Sequence, residues 1–181
     1  YEKIASSPGV RFFGNVKLGK DILVEDLRRH YDQIVYAVGN EADRHLGVPG
    51  EDLPGNHSAT EFVGWYNAHP DHHGHRFDLS SQAAAVVGVG NVAMDVTRLL
   101  AEEPDRLAKT DIADYALQAF RESRLRTVYL LGRRGPAQAA YSLAEIQEIG
   151  SLHGVDLVVD PAEAAVDELS QPALSDAETK K

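Results

Sequence analysis

"GVGNVA", Gly88 to Ala93, stands where an apolar run, "AAAVV", gives way to Val92, Val96, Leu99 and Leu100 at helical spacing. This is a strand, a glycine turn and a helix. Gly88 allows the tight turn, Gly90 lets a pyrophosphate approach the backbone, and Ala93 stands where a third glycine usually permits close helix packing. The free amides of Asn91 and Val92 at the helix start then point at phosphate oxygens. A bare GxGxxA match fits a structural turn as well. The strand before it and the helix after it are what favour a dinucleotide.

A second stretch, "TVYLLGRRGP" from Thr127 to Pro136, reads as the next strand, ending in two adjacent arginines. In an NAD-binding fold the second strand ends in a carboxylate that accepts hydrogen bonds from the adenosine ribose. Here no acid competes, and Arg133 and Arg134 suit the 2'-phosphate of NADP. The other reading is two solvated arginines in a turn closed by Gly135-Pro136.

Working outward, a helix is expected around Asp111 to Ser123 with Thr110 as its cap. Another runs from about Ser142 to Leu152 and leads to a strand, "GVDLVVD". Strands alternating with helices predict an α/β fold with a parallel sheet. Nearer the start, "VRFFGNVKLG" predicts short strands around a turn at Gly14-Asn15, and Ile34 to Val38 predict a buried strand. That strand ends in Ala37-x-Gly39, which two-dinucleotide flavoproteins use near the flavin; an ordinary buried strand ending in glycine looks the same. "NEADRHLGVPGEDLPGN", with three glycines and two prolines, predicts a connection between domains, with the boundary near Gly39 to Arg44.

Composition removes several classes. The 181 residues suffice for one core, or for one domain with part of another. No apolar run approaches the roughly 18 to 20 residues of a membrane helix, so no membrane insertion is expected. Zero cysteines exclude disulfides and thiolate-held zinc or iron-sulfur centres within this chain. A net charge of -10 opposes nucleic-acid binding. "HPDHHGH", with His69, His72, His73 and His75, has irregular spacing in a glycine and proline loop, and no metal is expected there. His57 is assigned no role. Trp65 and Tyr66 are expected to pack rather than to stack on a cofactor. The start at Tyr1 without methionine and the polar end "LSQPALSDAETKK" suggest an excised piece with a frayed tail over 166–181.

"YDQIVYAVGNEADRHLGVPGEDLPG", "EFVGWYNAHP", "GVGNVAMDVTRLL" and "GRRGPAQAAYSLAEIQE" together resemble the adrenodoxin-reductase-like ferredoxin-NADP reductases, bacterial members included. The resemblance runs to about Asp160, and "GWYNAHP" is its most specific piece. It implies a Rossmann-like NADP-binding domain of the two-dinucleotide-binding flavoprotein type, truncated. Residues 1–40 would be a returning segment of the FAD domain and 41–165 an incomplete NADP-binding domain. It implies a parent enzyme that passes a hydride from NADPH to FAD and then single electrons to a ferredoxin-type iron-sulfur protein. This chain alone is expected to be inactive.

By motif, the resemblance puts Gly88, Gly90, Asn91 and Val92 on the pyrophosphate, Arg133 and Arg134 on the 2'-phosphate, and Arg44 near the nucleotide. Glu145 would be a nucleotide contact and Glu148 the catalytic candidate near flavin and nicotinamide; both also fit an exposed helix face at i, i+3. Ala37 and Gly39 would lie at the flavin. Alternatives are the NADP domain of another two-dinucleotide flavoprotein, such as a glutamate synthase small subunit, or a non-catalytic nucleotide-binding module. With no transit segment visible, a bacterial cytoplasm is the expected compartment. Because ferredoxins are acidic, an acidic reductase needs a basic docking face elsewhere, expected on the flavin domain.

Overall fold

The computed structural model describes residues 2–39 and 43–175 and divides the chain into two units, Tyr1–Asn40 and Glu41–Lys181. Part of the expected boundary, 40–42, and the last part of the expected tail, 176–181, lie outside the described residues.

The first unit holds helix α1, Glu2–Ala5, and helix α2, Val24–His30. Neither expected strand forms there. Residues 10–17 carry no ladder, Leu18 and Ile22 make an isolated bridge, and Asn15 takes a positive φ of 56°. The 34–38 segment is extended but unpaired, and Val35 is 86% exposed. Apolar alternation favours an extended chain, but a strand exists only when a neighbour takes its N–H and C=O groups. No such neighbour stands among the described residues of this unit.

The second unit opens with helix α3, Ala59–Tyr66, followed by strand β1, Ala83–Val87, and helix α4, Asn91–Ala101. Helices α5, Pro104–Leu107, and α6, Asp114–Arg121, lead to strand β2, Thr127–Leu131. A 3₁₀ turn at Pro136–Gln138 precedes helix α7, Leu143–Gly150; helix α8, Pro161–Ala164, and a 3₁₀ turn at Gln171–Ser175 follow. The strands pair in parallel, from Ala83 opposite Thr127 to Val87 opposite Leu131. Between them lies a helical connection, as parallel pairing requires.

The core is aromatic. Phe62 and Trp65 of α3 meet Phe77 and Phe120, with Val96 and Leu99 of α4, Leu107 and Ala116 closing the cluster. Ala93, Met94, Val96, Thr97 and Leu99 are the buried positions of α4, one apolar stripe at helical spacing. The buried Thr97 hydroxyl donates to the Ala93 carbonyl at 2.7 Å, which satisfies it inside its own helix.

The last carbonyls of α3 find their donors on the next helical layer. Tyr115 Oη donates to the Trp65 carbonyl at 2.7 Å, and Ala113 N–H to that of Tyr66 at 2.9 Å. This joins "GWYNAHP" to the start of α6 and makes Trp65 and Tyr66 packing residues of the fold.

Two expectations in this unit fail. Thr110 does not cap α6: the helix starts four residues later with Ala113 in the cap position, and the Thr110 hydroxyl donates back to the Leu107 carbonyl. The side chain found a nearer acceptor at the end of α5. "GVDLVVD" forms no third strand; Val158 is 86% exposed and the sheet stops at two strands among the described residues. Without an edge beside it, the apolar run has no ladder to join.

Asp43 anchors the start of α3. Its carboxylate accepts from Ser58 Oγ, from Thr60 N at 2.9 Å and from Thr60 Oγ1 at 2.9 Å. The Ser58 hydroxyl, then the Thr60 amide, hold its carboxyl below the usual carboxylate range. A lowered native pKa contributes stability that is fully present above the unfolded value and lost as pH falls through the native one. Asp43→Asn is therefore expected to lower the urea midpoint at neutral pH, with the gap to wild type closing in acid. Urea titrations at a series of pH values check this.

Candidate nucleotide-binding site

The site is built where β1 ends. Gly88 has a φ of 136°, a conformation that side chains strain to adopt, so this position requires glycine for the turn. Gly90 differs. It caps α4 with a φ of -110° open to any residue, and a Cβ placed there would meet nothing within 4 Å. The protein's own atoms do not require glycine here; the space before the helix start is open.

That helix start has unspent polarity. Met94 N–H makes the first intrahelical bond, to the Gly90 carbonyl at 3.1 Å, while α4 has no side-chain cap and no acid in its first turn. The amides of Asn91 and Val92 have no backbone acceptor among the described residues. Unpaired N–H groups and the positive end of the helix dipole make a place for an anion.

Both turns leave the same end of the sheet. Gly88 N–H donates to the Leu131 carbonyl at 2.9 Å, which ties the glycine turn to the end of β2. Arg133 and Arg134 follow Gly132, exposed, with no hydrogen bond or ion pair among the described residues. Two unpartnered guanidinium groups and an uncapped helix start thus share the carboxyl edge of a parallel sheet, where ligands bind in open α/β folds.

The two glutamates have partners of their own. Glu145 closes a capping box on α7: its Oε2 accepts from Ser142 N at 2.7 Å and from Ser142 Oγ, whose oxygen accepts from Glu145 N. Ser142→Ala is expected to cost about 1 kcal/mol of stability, read as a lower urea midpoint. Glu148 reaches Arg98 of α4, with Oε2 3.5 Å from Nε, and Arg98 also meets Asp95 Oδ1 at 3.4 Å. This pair, of a half-buried arginine and an exposed glutamate, links α7 to the helix that opens with the glycine turn.

Sequence reasoning missed the seam between these pieces. Ala140 N–H donates to the Val89 carbonyl at 2.8 Å, and Ser142 N–H also reaches Asn91 Oδ1 at 3.2 Å. The segment after the arginines is thereby laid against the glycine turn. The first bond is backbone to backbone and leaves no mark on composition, and the second depends on where two segments about fifty residues apart meet.

Arg44 follows the Asp43 anchor at the start of α3; it is exposed, and no bond joins it to the glycine turn among the described residues. Ala37 and Gly39 belong to the first unit and are exposed, Gly39 with a φ of 68°. In the histidine loop, His72 Nδ1 stands 3.4 Å from His75 Nε2, and His73 bonds the Pro70 carbonyl at 2.5 Å. His57 lies against Phe77, with ring centroids 4.7 Å apart.

No family model matches the sequence. The chain is 52% identical over 163 residues to the NADPH-ferredoxin reductase FprA of Mycobacterium leprae, covering 90% of this chain and 36% of that protein. It is 44% identical over 163 residues to the mitochondrial NADPH:adrenodoxin oxidoreductase of Bos taurus, covering 90% of this chain and 33% of that protein. A solved structure of Mycobacterium tuberculosis FprA in complex with NADPH matches with a TM-score of 0.83 at 52% identity, over 90% of this chain and 36% of that one. The chain thus spans about 36% of the length of the bacterial relatives it matches.

Proposed function

We propose that the chain is the NADP(H)-binding segment of an FAD-dependent enzyme of the adrenodoxin-reductase-like ferredoxin-NADP reductases, the kind of protein to which 90% of it is similar. The parent enzyme moves a hydride between NADPH and FAD and passes single electrons to a ferredoxin-type iron-sulfur protein. The observation that carries this reading is the pair of unpartnered arginines beside an uncapped, acid-free helix start.

The donor set fits NADP. The amides of Asn91 and Val92 take the pyrophosphate, the missing Cβ of Gly90 leaves room for it, and Arg133 and Arg134 clamp the 2'-phosphate. Arg44 is the remaining cation assigned to the nucleotide. Glu145 serves first as a helix cap and contacts the nucleotide through its free edge. Glu148, steadied by Arg98, is the carboxylate assigned to the nicotinamide side.

Flavin is different. The first unit, with Ala37 and Gly39, has no strand and no glycine turn opening a helix among its described residues, so those residues form no phosphate cradle for FAD. FAD belongs to the parent protein.

Gly90→Ala tests the pyrophosphate reading. Because a Cβ at this position meets no protein atom, the variant is expected to keep wild-type stability while binding NADP and NAD about tenfold more weakly or worse. Unchanged affinity for both nucleotides would remove the phosphate from this turn.

No helix among the described residues is long and apolar enough to cross a membrane. The greater similarity to mycobacterial than to mitochondrial relatives favours a bacterial cytoplasm. With this segment carrying a charge of -10, the docking face for an acidic partner lies on the flavin domain, and partner reduction by the parent enzyme is expected to slow as salt rises.

A further inference from the structure

Gly132 is required for a reason that the dinucleotide motif does not supply. Its backbone lies outside the left-handed region, so conformation alone would admit any residue. Space would not. A Cβ there would stand 2.8 Å from Val89 Cγ1 and 3.3 Å from the Arg134 carbonyl oxygen. Valine is stiff at χ1, so its methyl group has little freedom to swing aside.

Val89 also holds the far end of the same loop, through the bond from Ala140 N–H to its carbonyl at 2.8 Å. The stretch from 132 to 140, which carries both arginines, is therefore pinned to one residue of the glycine turn twice, by packing at one end and by a hydrogen bond at the other. Between these points the loop closes on itself, Gln138 N–H donating to the Gly135 carbonyl at 3.1 Å.

We infer that Val89, packed against Gly132, is the positioning residue for nucleotide selectivity: it sets where Arg133 and Arg134 stand relative to the helix start that takes the pyrophosphate. The inference rests on the NADP-binding reading above. Charge-assisted contacts from a guanidinium to a phosphate depend on geometry, so a displaced loop loses the 2'-phosphate while leaving the rest of the nucleotide bound. NAD, which lacks that phosphate, does not sense the displacement.

The test is calorimetric titration of the 181-residue chain with NADP and with NAD, for wild type, Gly132→Ala, Val89→Ala with Gly132→Ala, and Arg133→Ala with Arg134→Ala. Gly132→Ala is expected to weaken NADP by about tenfold or more while NAD stays within about threefold. Removing the Val89 methyl groups in the Val89→Ala, Gly132→Ala variant is expected to restore most of the NADP-to-NAD ratio. Retained NAD affinity reports that each variant is folded.

The inference is overturned if Gly132→Ala keeps the wild-type ratio, if it loses both nucleotides equally, or if the second substitution brings no recovery, while the arginine variant still loses NADP. Those results leave the NADP reading standing. An arginine variant that keeps the wild-type ratio, or a wild type without preference, removes both.

Discussion

Replacing Arg133 and Arg134 together by alanine is expected to lower the affinity for NADP by roughly a hundredfold and to leave NAD nearly unchanged. Each guanidinium bonded to a phosphate contributes about 1.5 kcal/mol or more. Two such contacts make roughly 3 kcal/mol, and each 1.4 kcal/mol is a factor of about ten. The estimate is not reduced by competing partners, because neither arginine has a hydrogen bond or ion pair to break among the described residues. Both are exposed, so salt should narrow the gap. Calorimetry with both nucleotides at two ionic strengths reads all of this, and an arginine pair that merely solvates the turn would change neither affinity.

Trp65→Ala is expected to cost about 3 to 5 kcal/mol of stability. The indole is 3% exposed and lies among Phe62, Phe77, Tyr115 and Phe120, with ring centroids 4.9 to 6.3 Å away. Deleting it leaves a cavity between α3 and α6 that aromatic neighbours cannot collapse to fill. Against an ordinary domain stability of about 5 to 15 kcal/mol the loss is severe, and a fall in melting temperature of roughly 10 °C is expected. Trp65→Phe should recover part of it. Because the indole stands in the core and not at the glycine turn, the folded fraction of Trp65→Ala should bind NADP as wild type does. A specific loss of nucleotide binding in a stable variant would make Trp65 a cofactor contact instead.

The strand, turn and helix at 83–101 could be read from the sequence because each step has a local cause: an apolar run, a glycine where φ is positive, and an apolar stripe at helical spacing. β2 and the helix beginning near Ser142 were readable for the same reason. The strands expected within 10–19, at 34–38 and at 154–160 failed because a strand is a property of two segments, and apolar alternation describes only one. Thr110 failed because a hydroxyl can serve either of two neighbouring helices, and sequence does not rank them.

At the site, residue types with a direct chemical demand were visible, the glycines and the double arginine above all. Contacts carried by backbone or by shape were not. The Val89 carbonyl that receives Ala140, and the Val89 methyl that excludes a side chain at Gly132, depend on where two segments far apart in sequence meet. The capping role of Glu145 was in principle readable, since serine three residues before glutamate is a helix-start pattern.

The most direct measurement is titration of the folded wild-type chain with NADP and, separately, with NAD. One NADP bound per chain, about a hundredfold tighter than NAD, is the predicted result. Equal affinity for the two nucleotides, or no binding of either, would contradict the assignment of the glycine turn and the double arginine to NADP.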